Sequence, residues 1–382
     1  MTNDSNQAMS TATDTRTAPN PDIRLGQARA EIGRLDREIV GLLNRRAEVA
    51  LEVGSIKREL GSAVYDAVQE TRVYDRIREE NQRAGAVLTD EAVTDIYREI
   101  ISASRALQEP LTVAALGPEA SMSHLAVRAQ FGAEATPVFE PTIQAVFDAV
   151  AREEAKVGIV PVENSLEGSV GATMDALMAS QLDVLGELYL PITYDLLSQA
   201  ASLDDVKVVY SHPQALAQCT EWLNRHVPRA RVEPVESTAR AAQLAAADPT
   251  VAAIASQIAG ETYGVAVLAE HTEDAAHNMT RFLVIGRGAC EQTGNDKTSL
   301  IMSTAHAPGA LYAALSIFAD HSISLSRLES RPLESRPWEY MFFIDFEGHR
   351  DDLNVAECLA ELAGRVSFHR VLGSYPQGDR PW

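Results

Sequence analysis

The sequence predicts a multidomain protein in which an all-α first segment, an α/β middle segment and an α+β last segment follow one another. Three observations predict it. Apolar residues recur at spacings of three and four over residues 23–107, short apolar strands alternate with helical stretches from residue 111, and beyond residue 297 the order is strand, helix, strand, strand, helix, strand. The 382-residue length suits about two or three domains of roughly 100–200 residues each.

Charge narrows the partners. The 33 Lys and Arg against 54 Asp and Glu leave a net charge of −21, which repels phosphate backbones and anionic lipid, so neither nucleic acid nor membrane is an expected partner. Residues 1–21 are Thr, Asn, Asp, Ser and Pro without an apolar run; they read as a disordered tail and lack the apolar core of a signal peptide. No segment reaches the roughly 18 apolar residues of a membrane span. Cys219, Cys290 and Cys358 are distant and odd in number, which argues against a disulfide framework and for a reduced cytoplasm. The nine histidines include no ligand-spaced pair, so no metal is expected.

In the first segment Leu25, Ala28, Ile32, Leu35, Ile39 and Leu42 begin a proline-free pattern that runs from Ile23 to Leu60 as one long amphipathic helix. Two more helices follow at 66–84 and 90–107. Three helices of such unequal length leave much of the first uncovered, which predicts an intertwined homodimer or higher homo-oligomer. Arg46 and Lys57, 11 residues apart, return to within roughly 20° of one helix face. Arg29, 17 residues before Arg46, is rotated by about 100° and so serves another pocket, the partner's. By spacing alone these cations fit a solvated face better than a pocket.

Residues 24–108 resemble the all-helical chorismate mutases, through Leu35-Asp36, the Arg46 to Lys57 spacing, Val64-Tyr65-Asp66, Glu70, and the closing run Ile100-Ile101 through Ser104 to Gln108. The resemblance implies rearrangement of chorismate to prephenate, which needs a compact conformer held and the breaking ether oxygen stabilised, without cofactor. It assigns Arg46 and Arg29 of the partner subunit to the carboxylates, Lys57 and Gln108 to the ether oxygen, and Asp66 or Glu70 to the hydroxyl, with Ser104 in the same pocket. Gln69 stands where the family commonly has Arg, and a weakened mutase is the expectation.

The middle segment places polar clusters after its strands: Gly117 to Ser123 after 111–116, Val162 to Thr173 after 157–161, and Ser211 to Cys219 after 206–210. Strand ends are where α/β sheets bind ligands, although Ser, Asn, Gly and Pro also serve caps and turns. His277 to Phe282 sets Thr280 and Arg281 side by side at the mouth of the buried strand Leu283-Val284-Ile285. Residues 111–290 hold 10 basic and 22 acidic residues, net −12, so an anion site here depends on few cations, of which Arg281 is the best placed.

Val160 to Ser165, Ser211-His212-Pro213-Gln214, Glu236-Ser237-Thr238 and Asn278 to Phe282 resemble the prephenate dehydratases over about 112–290. The resemblance implies two lobes, like a periplasmic binding protein, closing on prephenate, which loses carbon dioxide and its ring hydroxyl to give phenylpyruvate. Thr280 would donate a hydrogen bond to the departing hydroxide in a closed, dry cleft. Glu236 would supply the proton if burial raised its pKa. Asn164, Ser211 and Gln218 would orient the substrate, and Arg281 would face a carboxylate or brace the loop. Ala120-Ser121-Met122-Ser123 replaces the family's Gly-Thr-aromatic-Ser, which predicts altered closure of that loop.

After the polar linker 291–296, the βαββαβ order predicts a ferredoxin-like unit. Pro308-Gly309-Ala310-Leu311 opens a helix, where free N–H groups suit a carboxylate, and Leu328-Glu329-Ser330-Arg331-Pro332 ends a strand. With Trp338-Glu339-Tyr340 and Phe346 to His349 these resemble the phenylalanine-binding motifs of ACT regulatory domains. Glu334 to Pro337 repeats the second motif and reads as a spacer. The implied effector is phenylalanine, held between two ACT domains and inhibiting through lobe closure.

The expected domains are a mutase at 22–109, a dehydratase at 111–290 and an ACT domain at 297–378. Together they resemble the bifunctional family of phenylalanine synthesis. Two other readings stay open on sequence: a dehydratase acting on arogenate, and a non-catalytic amino-acid sensor.

Overall fold

The protein is described here by a computed structural model, covering residues 20–61, 65–275, 277–333 and 336–379. The tail expected at 1–21 lies outside these residues except at its end, where Asn20 caps a helix that Pro21 begins. The spacer reading of Glu334 and Ser335 also lies outside them.

Helix α1 (Pro21–Leu60) starts with the Asn20 side chain accepting from the Asp22 N–H and stops at Gly61, whose φ of 65° turns its N–H back onto the Lys57 and Arg58 carbonyls. Its 40 residues extend about 60 Å. Helices α2 (Ala67–Arg83) and α3 (Asp90–Gln108) start at the side-chain caps Asp66 and Thr89. Around Gly54 the first helix lies against α3 so closely that a Cβ there would come within 2.7 Å of the Gln108 side chain. Ile32, Leu35, Ile39, Val40 and Leu42 remain exposed.

Next come β1 (Thr112–Leu116), α4 (Met122–Phe131), β2 (Thr136–Glu140), α5 (Ile143–Ala151), β3 (Val157–Asn164), β4 (Gly168–Ser169), α6 (Gly171–Ala179) and β5 (Asp183–Pro191). The chain then crosses to a second sheet through β6 (Asp195–Ser198), β7 (Val208–Ser211), α7 (Pro213–Gln218), α8 (Thr220–His226), β8 (Arg231–Pro234), α9 (Thr238–Ala247), β9 (Val251–Ala255), α10 (Gln257–Tyr263) and β10 (Val267–Ala269). It returns as β11 (Met279–Gly286), which inserts between β3 and β5. The sheet orders are β2-β1-β3-β11-β5, with β4 beside β3, and β10-β6-β9-β7-β8. Two lobes joined by two crossings result, as expected.

β3 runs to Asn164 instead of stopping at Pro161, because β11 provides a ladder partner that far. Thr280 pairs with Asn164 and Arg281 with Glu163, but Phe282 pairs with Pro161, so Val162 is bulged. The bulge reverses the facing of the residues after it. Ile159 packs on the face that carries Phe282 and Val284, while Glu163 faces the last domain, leaving Asn164 on the same side as Thr280.

The last unit is β12 (Asp296–Ser303), α11 (Ala310–Asp320), β13 (Leu325–Leu333), β14 (Arg336–Glu347), α12 (Leu353–Ala363) and β15 (Phe368–Pro376), with antiparallel order β13-β14-β12-β15. One sheet face packs Leu300, Ile344 and Phe346 against Phe318 and Leu362 of its helices. The other packs Ile301, Phe343, Leu372 and Tyr375 against Val184, Leu283 and Ile285 of the first lobe. No helix among the described residues is long and apolar enough to cross a membrane.

Candidate active sites

The helical segment encloses a cavity of about 360 Å³ whose wall includes Arg46, Lys57, Asp66, Glu70, Ser104 and Gln108. Six of the seven residues expected there are brought together. The seventh, Arg29, is exposed on the outer half of α1. Arg46 Nη1 donates to Ser104 Oγ at 2.5 Å, and that hydroxyl donates to the Ile100 carbonyl at 2.7 Å. Asp66 is exposed and accepts from the Gln69 N–H at 3.0 Å as the α2 cap, whereas the Glu70 side chain is 14% exposed, so Glu70 is the better placed acid.

Two cations in this wall were not expected, Arg76 and Arg105. Arg105 pairs with Glu70 and donates from its other terminal nitrogen to the Phe131 carbonyl at 2.5 Å, which ties the cavity to the end of α4. Its signal was available, since Ile101, Arg105 and Gln108 follow helical spacing on one face. Burial pushes the Glu70 carboxyl above its ordinary value, while Arg105 and Lys57 pull it down. Beside the exposed Gln69, four cations therefore still line the cavity.

In the two-lobed segment a hydrogen-bond chain crosses from one lobe to the other. Gln218, at the end of α7, accepts from Asn278 Nδ2 at 2.9 Å. Asn278 Oδ1 accepts from Asn164 Nδ2 at 2.8 Å, and the same nitrogen donates to Thr280 Oγ1 at 3.0 Å. Asn164 Oδ1 accepts from the Leu166 and Glu167 N–H groups, which fixes its amide orientation. The Thr280 oxygen thus receives a proton donor while donating its own proton to no group among the described residues. Asn278 completes the chain and was not singled out from sequence, although it opens the motif that holds Thr280.

Three expected residues sit differently. Ser211 is fully buried and its hydroxyl donates to the Ile254 carbonyl at 2.6 Å, so it supports the second lobe instead of meeting a ligand. Glu236 is 75% exposed and lies 3.7 Å from Arg240, so the burial that its acid role required is absent. Arg281 does not face the cleft. It lies on the other side of β11, with its guanidinium on Glu187 and Asp345, which corrects the substrate-carboxylate reading and leaves the bracing one. The altered loop has a visible cost. Ala120 takes a φ of 62°, a left-handed conformation that costs a side-chain-bearing residue roughly 1–2 kcal/mol; Ser121 retains the α4 cap.

In the last unit Gly309, with φ 80°, caps α11, where Ala310 and Leu311 form the first turn. Glu329, Ser330, Arg331 and Pro332 lie on β13. Ser169 Oγ donates to Glu329 Oε2 at 2.9 Å, and Arg331 forms a two-pronged pair with Asp175 at 2.9 and 2.6 Å. The expected effector strand therefore rests directly on the lobe that carries Asn164.

A cation-lined helical cavity and a separate hydroxyl–amide chain between two lobes give one polypeptide two distinct small-molecule sites. A chorismate mutase type II model matches residues 28–109, a prephenate dehydratase model 113–290 and an ACT domain model 298–364. A bifunctional chorismate mutase/prephenate dehydratase of Aquifex aeolicus is 42% identical over 92% of this chain and 98% of its own, and the one of Escherichia coli strain K12 is 33% identical over 94% and 97%. The crystal structure of prephenate dehydratase from Arthrobacter aurescens in complex with L-Phe is 36% identical, with a TM-score of 0.64, covering 70% of this chain and 90% of that one. The chain belongs to the bifunctional chorismate mutase/prephenate dehydratase family.

Proposed function

We propose that the helical cavity rearranges chorismate and that the cleft between the lobes converts the resulting prephenate to phenylpyruvate, each through the residues its geometry gathers. In the first step no bond to protein forms. Arg46 and Arg29 of the partner subunit hold the carboxylates, Lys57 and Gln108 meet the ether oxygen as charge develops on it, and Glu70 takes the hydroxyl. The exposed apolar face of α1 supports the intertwined homodimer that this use of Arg29 requires.

In the second step the carbon–carboxylate electron pair enters the ring, carbon dioxide leaves, and the ring carbon–oxygen bond breaks to complete the aromatic system. Thr280 donates to the departing hydroxide. The observation that carries this is the Asn164 amide donating to the Thr280 oxygen, since a hydroxyl that already accepts a hydrogen bond is a stronger donor. Gln218 and Asn278 bind the two lobes to that group. The proton that finally makes water comes from solvent.

Phenylalanine is the effector of the ACT domain in this reading, bound at Gly309 to Leu311 and Glu329 to Pro332 with a second copy of the chain. Support comes from the Glu329–Ser169 and Arg331–Asp175 contacts, through which a change in β13 reaches the lobe that must close. Three unpaired thiols suit a cytoplasmic enzyme. Relatives named for prephenate along nearly the whole chain favour neither the arogenate nor the non-catalytic reading.

Thr280→Val tests the central assignment in the full-length protein. Loss of phenylpyruvate formation with chorismate turnover intact is the expected result, and substantial retained prephenate turnover refutes it.

A further inference from the structure

Successive residues of a strand point to opposite faces of its sheet. On β11 this sends Thr280 to the cleft and Arg281 to the ACT domain. Arg281 Nε donates to Glu187 Oε2 at 2.7 Å, Nη1 to Asp345 Oδ2 at 2.5 Å and Nη2 to Tyr375 Oη at 3.0 Å. Glu187 Oε1 accepts from Lys297 Nζ at 2.5 Å and from the Gly378 N–H at 3.0 Å, and Asp345 Oδ1 accepts from Ser299 Oγ at 2.5 Å. The four charged side chains are between 0% and 5% exposed. Two cations and two carboxylates balance, and every carboxylate oxygen is occupied.

Such a cluster is a costly way to hold two domains together, because four charges have left water. Adhesion was already available from Ile301, Phe343 and Leu372 against Leu283 and Ile285 beside it. What apolar contact does not provide is direction. A guanidinium with three fixed partners sets the position and twist of its own backbone, and Arg281 sits opposite the β3 bulge, where the register with β3 slips and the pairing with β5 alone continues unbroken.

We infer that Arg281 is a positioning residue for the dehydratase reaction: clamped by Glu187 of its own lobe and Asp345 of the ACT domain, it fixes the direction in which the neighbouring Thr280 presents its hydroxyl. The ACT domain then forms part of the mechanical frame of the dehydratase site. This rests on Thr280 being the donor to the leaving hydroxide.

The test is a double-mutant cycle in the full-length enzyme with Thr280→Val, Arg281→Lys and the pair together. Lysine keeps the charge and loses the fork. Since small misplacements of a reacting group cost up to about 10²-fold, Arg281→Lys is expected to lower dehydratase kcat at least about ten-fold with little change in the KM for prephenate. Mutase turnover in the same preparation stays unchanged and reports the helical domain, while the unchanged KM for prephenate and an unchanged thermal unfolding profile report that the lobes and the ACT domain are folded. Added to Thr280→Val, Arg281→Lys produces no further loss, because its effect passes through Thr280. Unchanged kcat in Arg281→Lys, or losses that multiply in the pair, overturns the inference while the Thr280 reading stands. Full activity of Thr280→Val sinks both. If Arg281→Lys does not fold, Ser299→Ala, which removes one ACT-side hydrogen bond from Asp345, is cycled in its place. A smaller fall in kcat is expected, and an unchanged kcat overturns the inference.

Discussion

Replacing Asn164 by aspartate changes one atom type in the cleft and reverses one hydrogen bond. The amide nitrogen now donates to Asn278 Oδ1 at 2.8 Å, Thr280 Oγ1 at 3.0 Å and the Met279 carbonyl at 3.2 Å, while Oδ1 accepts from the Leu166 and Glu167 N–H groups. In Asn164→Asp the accepting oxygen and its turn survive. The other position becomes an acceptor, so the Thr280 proton is drawn to the carboxylate and away from the substrate. Losing one preorganised donor to a developing anion costs about 10²–10³ in kcat, or about 2.7–4 kcal/mol of barrier. Asn278 Oδ1 also loses its donor, at about 1–3 kcal/mol of stability if left unsatisfied, while the Met279 carbonyl keeps the Ser165 N–H at 2.8 Å. The assay is phenylpyruvate formation from saturating prephenate, with chorismate disappearance in the same sample reporting the helical domain and thermal unfolding reporting the lobes. A dehydratase kcat within about a factor of three of the unsubstituted enzyme, with mutase intact, refutes the claim that Asn164 orients Thr280.

Two further results are expected in the mutase domain. Gly54→Ala places a methyl 2.7 and 2.9 Å from Gln108 Cγ and Cβ, so α1 and α3 must part; overpacking of this kind costs about 1–3 kcal/mol, and thermal unfolding together with paired activity assays should show lower stability and mutase turnover with dehydratase kcat preserved. Burial holds the Glu70 carboxyl above the usual glutamate range near about 4.3, so chorismate turnover should fall on acidification at a pH above that range; Glu70→Gln should remove this acid limb, and a limb that persists unchanged excludes Glu70 as its source.

A helix converts spacing into facing, so the separation of Arg46 from Lys57 put both on one side of α1, but spacing left that side reading as solvated and the family resemblance marked it as a pocket wall. Arg105 shares that logic, but its partners Glu70 and Phe131 belong to other elements and no spacing within α3 reveals them. The dehydratase cleft resisted the same treatment. β11 is buried on both faces, so Thr280, Phe282 and Val284 look no different in pattern from Arg281, Leu283 and Ile285. Plain alternation along β3 would have set Asn164 with Val160, on the ACT side, and only the bulge at Val162 returns it to the cleft. Ser211 and Glu236 belong to motifs of the resemblance, yet one is consumed by a backbone carbonyl and the other lies in solvent. Motif membership located the strand ends without deciding where each side chain points.

Both sites follow one construction. In the mutase cavity Ser104 meets Arg46, while the next residue, Arg105, reaches out of the domain to the carbonyl that ends α4. In the dehydratase cleft Thr280 meets Asn164, while the next residue, Arg281, reaches out to Asp345 of the ACT domain. A buried arginine beside each cleft-facing hydroxyl turns the neighbouring domain into a support, and a cation also suits the negative end of α4. Lysine in either place would keep the charge without the fork that reaches several partners at once. The domains are therefore joined at the residues next to Ser104 and Thr280 as well as through the chain, and under the positioning role inferred for Arg281 a shift of the ACT domain displaces the Thr280 hydroxyl.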